Sequence, residues 1–172
     1  TISKFDADYY LAGDSEGRST LKIVERITAE FPAYDQNHGI ERAIPTRYDN
    51  HPTSLKIESV TDESGKKLGY STSELDDNEV LRIGEADTYV HGSKTYIITY
   101  TQRDVTRYFN NTNRQEFYWD VNGTEWQQPF GEINVRVHLA PSVLRTFTKD
   151  IACYQGVMKS TDSCEINIDG DI

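Results

Sequence analysis

The stretch Ser19-Thr20-Leu21-Lys22-Ile23-Val24-Glu25-Arg26-Ile27-Thr28-Ala29-Glu30-Phe31 decides the fold class. Leu21, Ile23, Ile27, Ala29 and Phe31 fall on one parity, and Lys22, Arg26, Thr28 and Glu30 on the other. Alternation with period two is the pattern of a strand with one face in a core and one in water. A helical reading of the same residues accommodates fewer positions. Glu25 is the exception, an acid on the apolar parity.

Working outward, Ile2-Ser3-Lys4-Phe5-Asp6-Ala7-Asp8-Tyr9 alternates less strictly, and Gly13-Asp14-Ser15-Glu16-Gly17 supplies turn residues, which predicts a hairpin. Downstream, Pro32 ends the strand. Further short strands are expected at 40–45, 54–60, 68–72, 80–83 and 94–102, separated by Asp62-Glu63-Ser64-Gly65, Asp76-Asp77-Asn78 and His91-Gly92-Ser93. Tyr96-Ile97-Ile98-Thr99-Tyr100 reads as a central strand, and Gln115-Glu116-Phe117-Tyr118-Trp119-Asp120-Val121 as another, closed by Asn122-Gly123. Residues 133–139 alternate again, Pro141 stops them, and a last strand is expected over 144–153. Residues 32–52 and 103–114 are the long irregular connections.

Composition agrees. Of 172 residues, 11 are Tyr, 6 Phe and one Met, an aromatic and β-branched bias that suits strands. A chain of this length removes roughly 70% of its unfolded surface from water, enough for one core without metals. Short strands at such spacing predict an antiparallel β-sandwich, immunoglobulin-like in the broad sense, as a single domain over 1–172. The formal net charge of -10 disfavours nucleic-acid partners, because it repels phosphate. No run of about 20 apolar residues occurs, so no membrane-spanning helix is expected within these residues.

Cys153 and Cys164 enclose a ten-residue interval rich in Gly, Ser and Thr. An even cysteine count with a closable loop favours a disulfide in an oxidising compartment; two free thiols are the alternative. His38, His51, His91 and His138 are scattered and lack ligand spacing. Neither a nucleophile elbow nor a Cys-His pattern occurs, so no catalytic residue is assigned and the chain is expected not to be an enzyme. No cofactor is expected. Calcium is the one ion with candidate oxygens, at Glu74, Asp76, Asp77 and Glu79 or at Asn167-Ile168-Asp169-Gly170-Asp171, although the latter does not complete a calcium loop.

Two features carry candidate function. Tyr118, Trp119 and Trp126, with Phe117, could form an aromatic platform for a sugar or a peptide, or could belong to the core. Glu25, on an inward face, needs a partner to offset its desolvation. Arg42, in the apolar setting Gly39-Ile40-Glu41-Arg42-Ala43-Ile44-Pro45, is the expected partner, and Glu116 could share the same guanidinium.

In order, Leu21-Lys22-Ile23-Val24-Glu25-Arg26-Ile27, His38-Gly39-Ile40-Glu41-Arg42-Ala43-Ile44-Pro45, Leu81-Arg82-Ile83-Gly84, Tyr96-Ile97-Ile98-Thr99-Tyr100 and Glu116-Phe117-Tyr118-Trp119-Asp120-Val121 with Trp126 resemble motifs of the DUF2207 family. Asp120 stands where that family often has Asn, and Ala140-Pro141 where Leu-Pro is usual. The resemblance implies the N-terminal ectodomain of a bacterial membrane protein. It implies a signal peptide removed before Thr1, placement on the outer face of the membrane, and membrane helices and often a Gly-rich tail after Ile172. It implies no activity. The expected role is a tethered module that binds an envelope protein or glycan. A structural or sensory ectodomain that mediates assembly is the alternative, and an enzyme acting on envelope glycans the third.

Overall fold

The computed structural model describes residues 1–123, 125–157 and 159–169. β1 (Ile2–Gly13) and β2 (Ser19–Phe31) form a long antiparallel hairpin. Asp14 closes its turn, Oδ1 accepting the N–H groups of Glu16 and Arg18, each at 2.9 Å. The chain continues through β3 (Gly39–Pro45), β4 (Arg47–Tyr48), β5 (His51–Pro52), β6 (Lys56–Asp62), β7 (Tyr70–Leu75), β8 (Asn78–Gly84) and β9 (Gly92–Arg103). Then come β10 (Arg107–Phe109), β11 (Arg114–Glu116), β12 (Phe130–Leu139), the one-turn helix α1 (Pro141–Leu144), β13 (Tyr154–Gln155) and β14 (Asp162–Ser163).

Two sheets make the sandwich. The larger has five strands in the order β12-β1-β2-β9-β6, the smaller three in the order β3-β8-β7. Every pairing is antiparallel except that of β12, which runs parallel to β1. The inward parity predicted for β2 is the buried one: Leu21, Ile23, Glu25, Ile27 and Ala29 are all buried. Phe5, Ala7 and Tyr9 of β1 and Tyr96, Ile98 and Tyr100 of β9 flank them on the same face. Ile40, Ile44, Leu81 and Ile83 of the smaller sheet complete a single core, and Arg42 is buried beside them. Each large apolar side chain buried there contributes roughly 1.5–3 kcal/mol.

Gly39 and Gly84 are register partners between β3 and β8, with φ of +150° and +137°. A Cβ on either would lie within 2 Å of a carbonyl oxygen, 1.8 Å from that of Ile83 or 1.9 Å from that of His38. Only glycine allows the two backbones to cross so closely.

Of two expected strands, 115–121 forms only at its start, as β11, and 144–153 does not form. Over 117–121 the strand of β11 has ended, and the backbone carbonyls of Val121 and Asn122 accept from the core side chains of Tyr9 and Arg42. Over 144–153, Leu144 closes α1 and the remainder is irregular, with Leu144 and Ile151 exposed. Pro141 at the start of α1 presets helical φ, and Gly13 N donates to Ser142 Oγ at 3.2 Å, holding the helix against the end of β1.

Candidate functional site

Inside the sandwich Glu25 and Arg42 meet from opposite sheets, at 0% and 2% exposure. Arg42 Nε donates to Glu25 Oε2 at 2.8 Å and Nη2 to Oε1 at 2.7 Å, the two parallel bonds a planar guanidinium forms best. Tyr100 Oη adds a third donor to Oε1 at 2.6 Å. The remaining guanidinium nitrogen, Nη1, donates to the carbonyls of Ala43 at 2.6 Å and Asn122 at 3.0 Å. Asn122 O also accepts Trp126 Nε1 at 2.8 Å, and Val121 O accepts Tyr9 Oη at 2.9 Å.

Electrostatics follow from burial and pairing. Burial works against the charge on Arg42, but the field of the Glu25 carboxylate and its hydrogen bonds outweigh it, and the guanidinium is held protonated more firmly than usual. Burial, reinforced by the Glu25 charge, pushes the phenols of Tyr100 and Tyr9 well above their ordinary range. Gly123, at φ +73°, lies against the same guanidinium, a Cβ there coming 3.0 Å from Arg42 Nη1. The cluster thus ties β2, β3 and β9 to the segment after β11. Its donors and acceptors are directed at one another, which suits the arrangement to holding strands in register.

Glu116 is not part of this cluster, a correction to the expectation that it shares Arg42. It sits exposed at the end of β11, opposite Arg107 in register, with its Oε1 accepting Thr112 Oγ1 at 3.3 Å. The parity of the motif does not carry inward because β11 belongs to a separate two-stranded ribbon. Sequence reasoning missed Tyr100 and Tyr9 as members. Both lie on inward parities, and a buried phenol calls for a hydrogen-bond partner, which is the signal that finds them.

The aromatic residues divide. Phe117 and Trp119 stack at 5.6 Å and 14°, packing on the core, with Tyr9 beside Phe117 and Tyr48 beside Trp119. Trp126 packs edge-on to Phe130 at 5.3 Å and lies 5.9 Å from the Arg42 guanidinium. Tyr118, between two anchored rings, turns outward and is 66% exposed.

Two shallow concavities open elsewhere. One, of about 300 Å³, is lined by Thr46, Arg47, Glu74, Asp77 and Glu79; the other, of about 540 Å³, by Arg18, Ser19, His51, Asp104 and Gln115. Among the described residues, no group of three or more His, Cys, Asp or Glu side chains is placed to hold a metal ion. Gly170 and Asp171 of the second calcium candidate lie outside the described residues. Cys153 and Cys164 form a disulfide, with Cα atoms 5.3 Å apart, across the β13–β14 ribbon.

Comparison with known proteins gives a family. No curated protein matches the chain. Among solved structures, native yeast LTA4 hydrolase is similar over 59% of this chain and 14% of its own, at 10% identity and a TM-score of 0.39. A second structure, native leukotriene A4 hydrolase from Saccharomyces cerevisiae, is similar over the same shares at 13% identity and a TM-score of 0.37. The chain thus spans 14% of the length of those enzymes. A family model described as "Predicted membrane protein (DUF2207) N-terminal domain" matches residues 1–169, and the chain therefore belongs to the DUF2207 family.

Proposed function

We propose that the domain is a non-catalytic binding module on the outer face of the cell envelope, and that it meets its ligand with the aromatic surface around Tyr118. The observation that carries this is the anchoring of Phe117 and Trp119 on the core, which fixes the backbone of Tyr118 between them in the chain while its ring faces outward. A large ring presented on a fixed backbone loses little entropy on binding, and such rings stack on sugars or seat apolar side chains. Tyr108 of the β10–β11 ribbon is a second exposed ring. The Cys153–Cys164 disulfide and membership of a family of predicted membrane proteins support the outer placement. The complete burial of Glu25 and its pairing with Arg42 and Tyr100 support the absence of catalysis there, because the carboxylate is out of reach of a substrate.

A glycan array and immobilised envelope preparations test the proposal. Retention that Tyr118→Ala abolishes, with an unchanged thermal midpoint, is the expected result. Equal retention of the wild type and the variant, or cleavage of the offered polymer, would overturn it.

A further inference from the structure

β12 lies at one edge of the larger sheet, with β1 as its only strand neighbour among the described residues. Its register to β1 is constant from Ile2↔Phe130 to Leu11↔Leu139, so no bulge turns the outer edge away. Its ten residues include neither Pro nor Lys. The opposite edge strand, β6, has seven residues and a register shift between Ile57 and Ser59. Long regular edges without such interruptions are templates for pairing with another strand.

The side chains of β12 point the same way. Ile133, Val135 and Val137 stand beside Phe5, Ala7 and Tyr9 on the inward parity, yet they are 43%, 36% and 48% exposed. The cover that buries β1 stops short of them. On the outer parity, Glu132, Asn134, Arg136 and His138 follow in turn. Arg136 is opposite Asp8, but Asp8 already accepts Arg26 Nη1 at 3.0 Å and pairs with His138 Nε2 at 2.9 Å. Among the described residues Arg136 makes no ion pair or hydrogen bond, and its charge acts on Asp6 only at longer range.

We propose that β12 is a dimerisation edge for a second copy of this chain. Two β12 strands pair antiparallel about a two-fold axis at Asn134 and join two five-stranded sheets into one. In this register Glu132 of each copy faces Arg136 of the other, and Ile133 faces Val135, so a single two-fold repeats both contacts. Slipping by one residue turns the apolar row to the wrong face. Slipping by two keeps the faces but separates Glu132 from Arg136, so charge selects the register. The proposal is independent of the role given to Tyr118.

Sedimentation equilibrium on the 172-residue chain and on Glu132→Arg and Arg136→Glu tests it, with circular dichroism and thermal midpoints as controls of folding. The wild type is expected to dimerise reversibly with concentration. Each single variant places like charges in contact and weakens the dimer by about tenfold or more. Mixed in equal amounts, the two variants restore opposite charges at both positions and form a heterodimer more tightly than either associates alone. Asn134→Cys is expected to cross-link across the axis under mild oxidation, located by peptide mass mapping. A wild type that remains monomeric up to about 1 mM, or folded variants whose mixture does not reassociate, assigns the edge to a different partner and overturns the proposal.

Discussion

Arg42 Nη2 and Glu25 Oε1 lie 2.7 Å apart in the middle of the sandwich, one contributed by the three-stranded sheet and the other by the five-stranded sheet. A buried ion pair of this kind returns little net stability over an apolar pair, because desolvation cancels most of the attraction. Breaking it is another matter, since one charge is then left without a partner. The pair acts mainly as a lock on the relative position of the sheets.

Removal of the cation is accordingly costly. Arg42→Ala is expected to destabilise by about 3–5 kcal/mol, lowering the thermal midpoint by about 10 °C. Replacing both partners, Glu25→Leu with Arg42→Met, restores most of that loss. Thermal denaturation of the three proteins checks this, and an Arg42→Ala midpoint within about 2 °C of wild type would refute the lock.

Tyr100 supplies the third donor to Glu25, so Tyr100→Phe isolates one hydrogen bond to a charged acceptor. The expected cost is about 1.5–3 kcal/mol, read from urea unfolding with an unchanged slope. A loss below about 0.5 kcal/mol would show that the phenol contributes packing only.

Alkaline pH strikes the same cluster. Tyr9 and Tyr100 have phenols raised above their unfolded value, so the folded state holds those protons more tightly than the unfolded chain. Their stabilisation is fully present below the unfolded value of about pH 10 and is lost as pH rises beyond it. Absorbance at about 295 nm is expected to show exposed tyrosines ionising first, with Tyr9 and Tyr100 following only as the fold is lost. Smooth ionisation of all 11 tyrosines in the folded state contradicts this.

At the acid end, Asp8 anchors the outer face where β1 meets β12. Its hydrogen bond with His138 and, against mild burial, that from Arg26 hold the carboxyl below its usual range. The sign is opposite to that of the phenols: the contribution is fully present above the unfolded value of about pH 4 and is lost as pH falls from there through the lowered folded value. Asp8→Asn is expected to flatten the loss of stability on acidification. Identical acid unfolding profiles for variant and wild type would exclude the effect.

The disulfide constrains the β13–β14 ribbon, whose residues are exposed. Cys153→Ser with Cys164→Ser is expected to accelerate amide exchange in that ribbon while leaving the midpoint of the sandwich nearly unchanged. Alkylation without reductant should add no mass to the wild type. Two added groups would show the thiols free.

How much of this the sequence revealed varies along the chain. β2 was legible because its alternation spans thirteen residues, with Glu25 the one exception. That exception marked Glu25 as needing a cation, and Arg42 stood out as a charge within an apolar stretch. Phe117 to Val121 was misleading, because aromatic density reads as a strand whether a ring packs in a ladder or folds over the end of a core. Glu116 was misplaced for the same reason, its ribbon being apart from both sheets.

By itself the sequence determined the β class, the buried face of β2, and the demand of Glu25 for a partner, because strand periodicity and desolvation are local properties. Only the tertiary structure decided that Tyr100 rather than Glu116 completes the ion pair, that the carbonyl of Asn122 serves both Arg42 and Trp126, and that β12 runs parallel to β1 with an open edge. Each depends on which distant segments the packed sheets bring within hydrogen-bond reach, and a linear pattern holds no record of that.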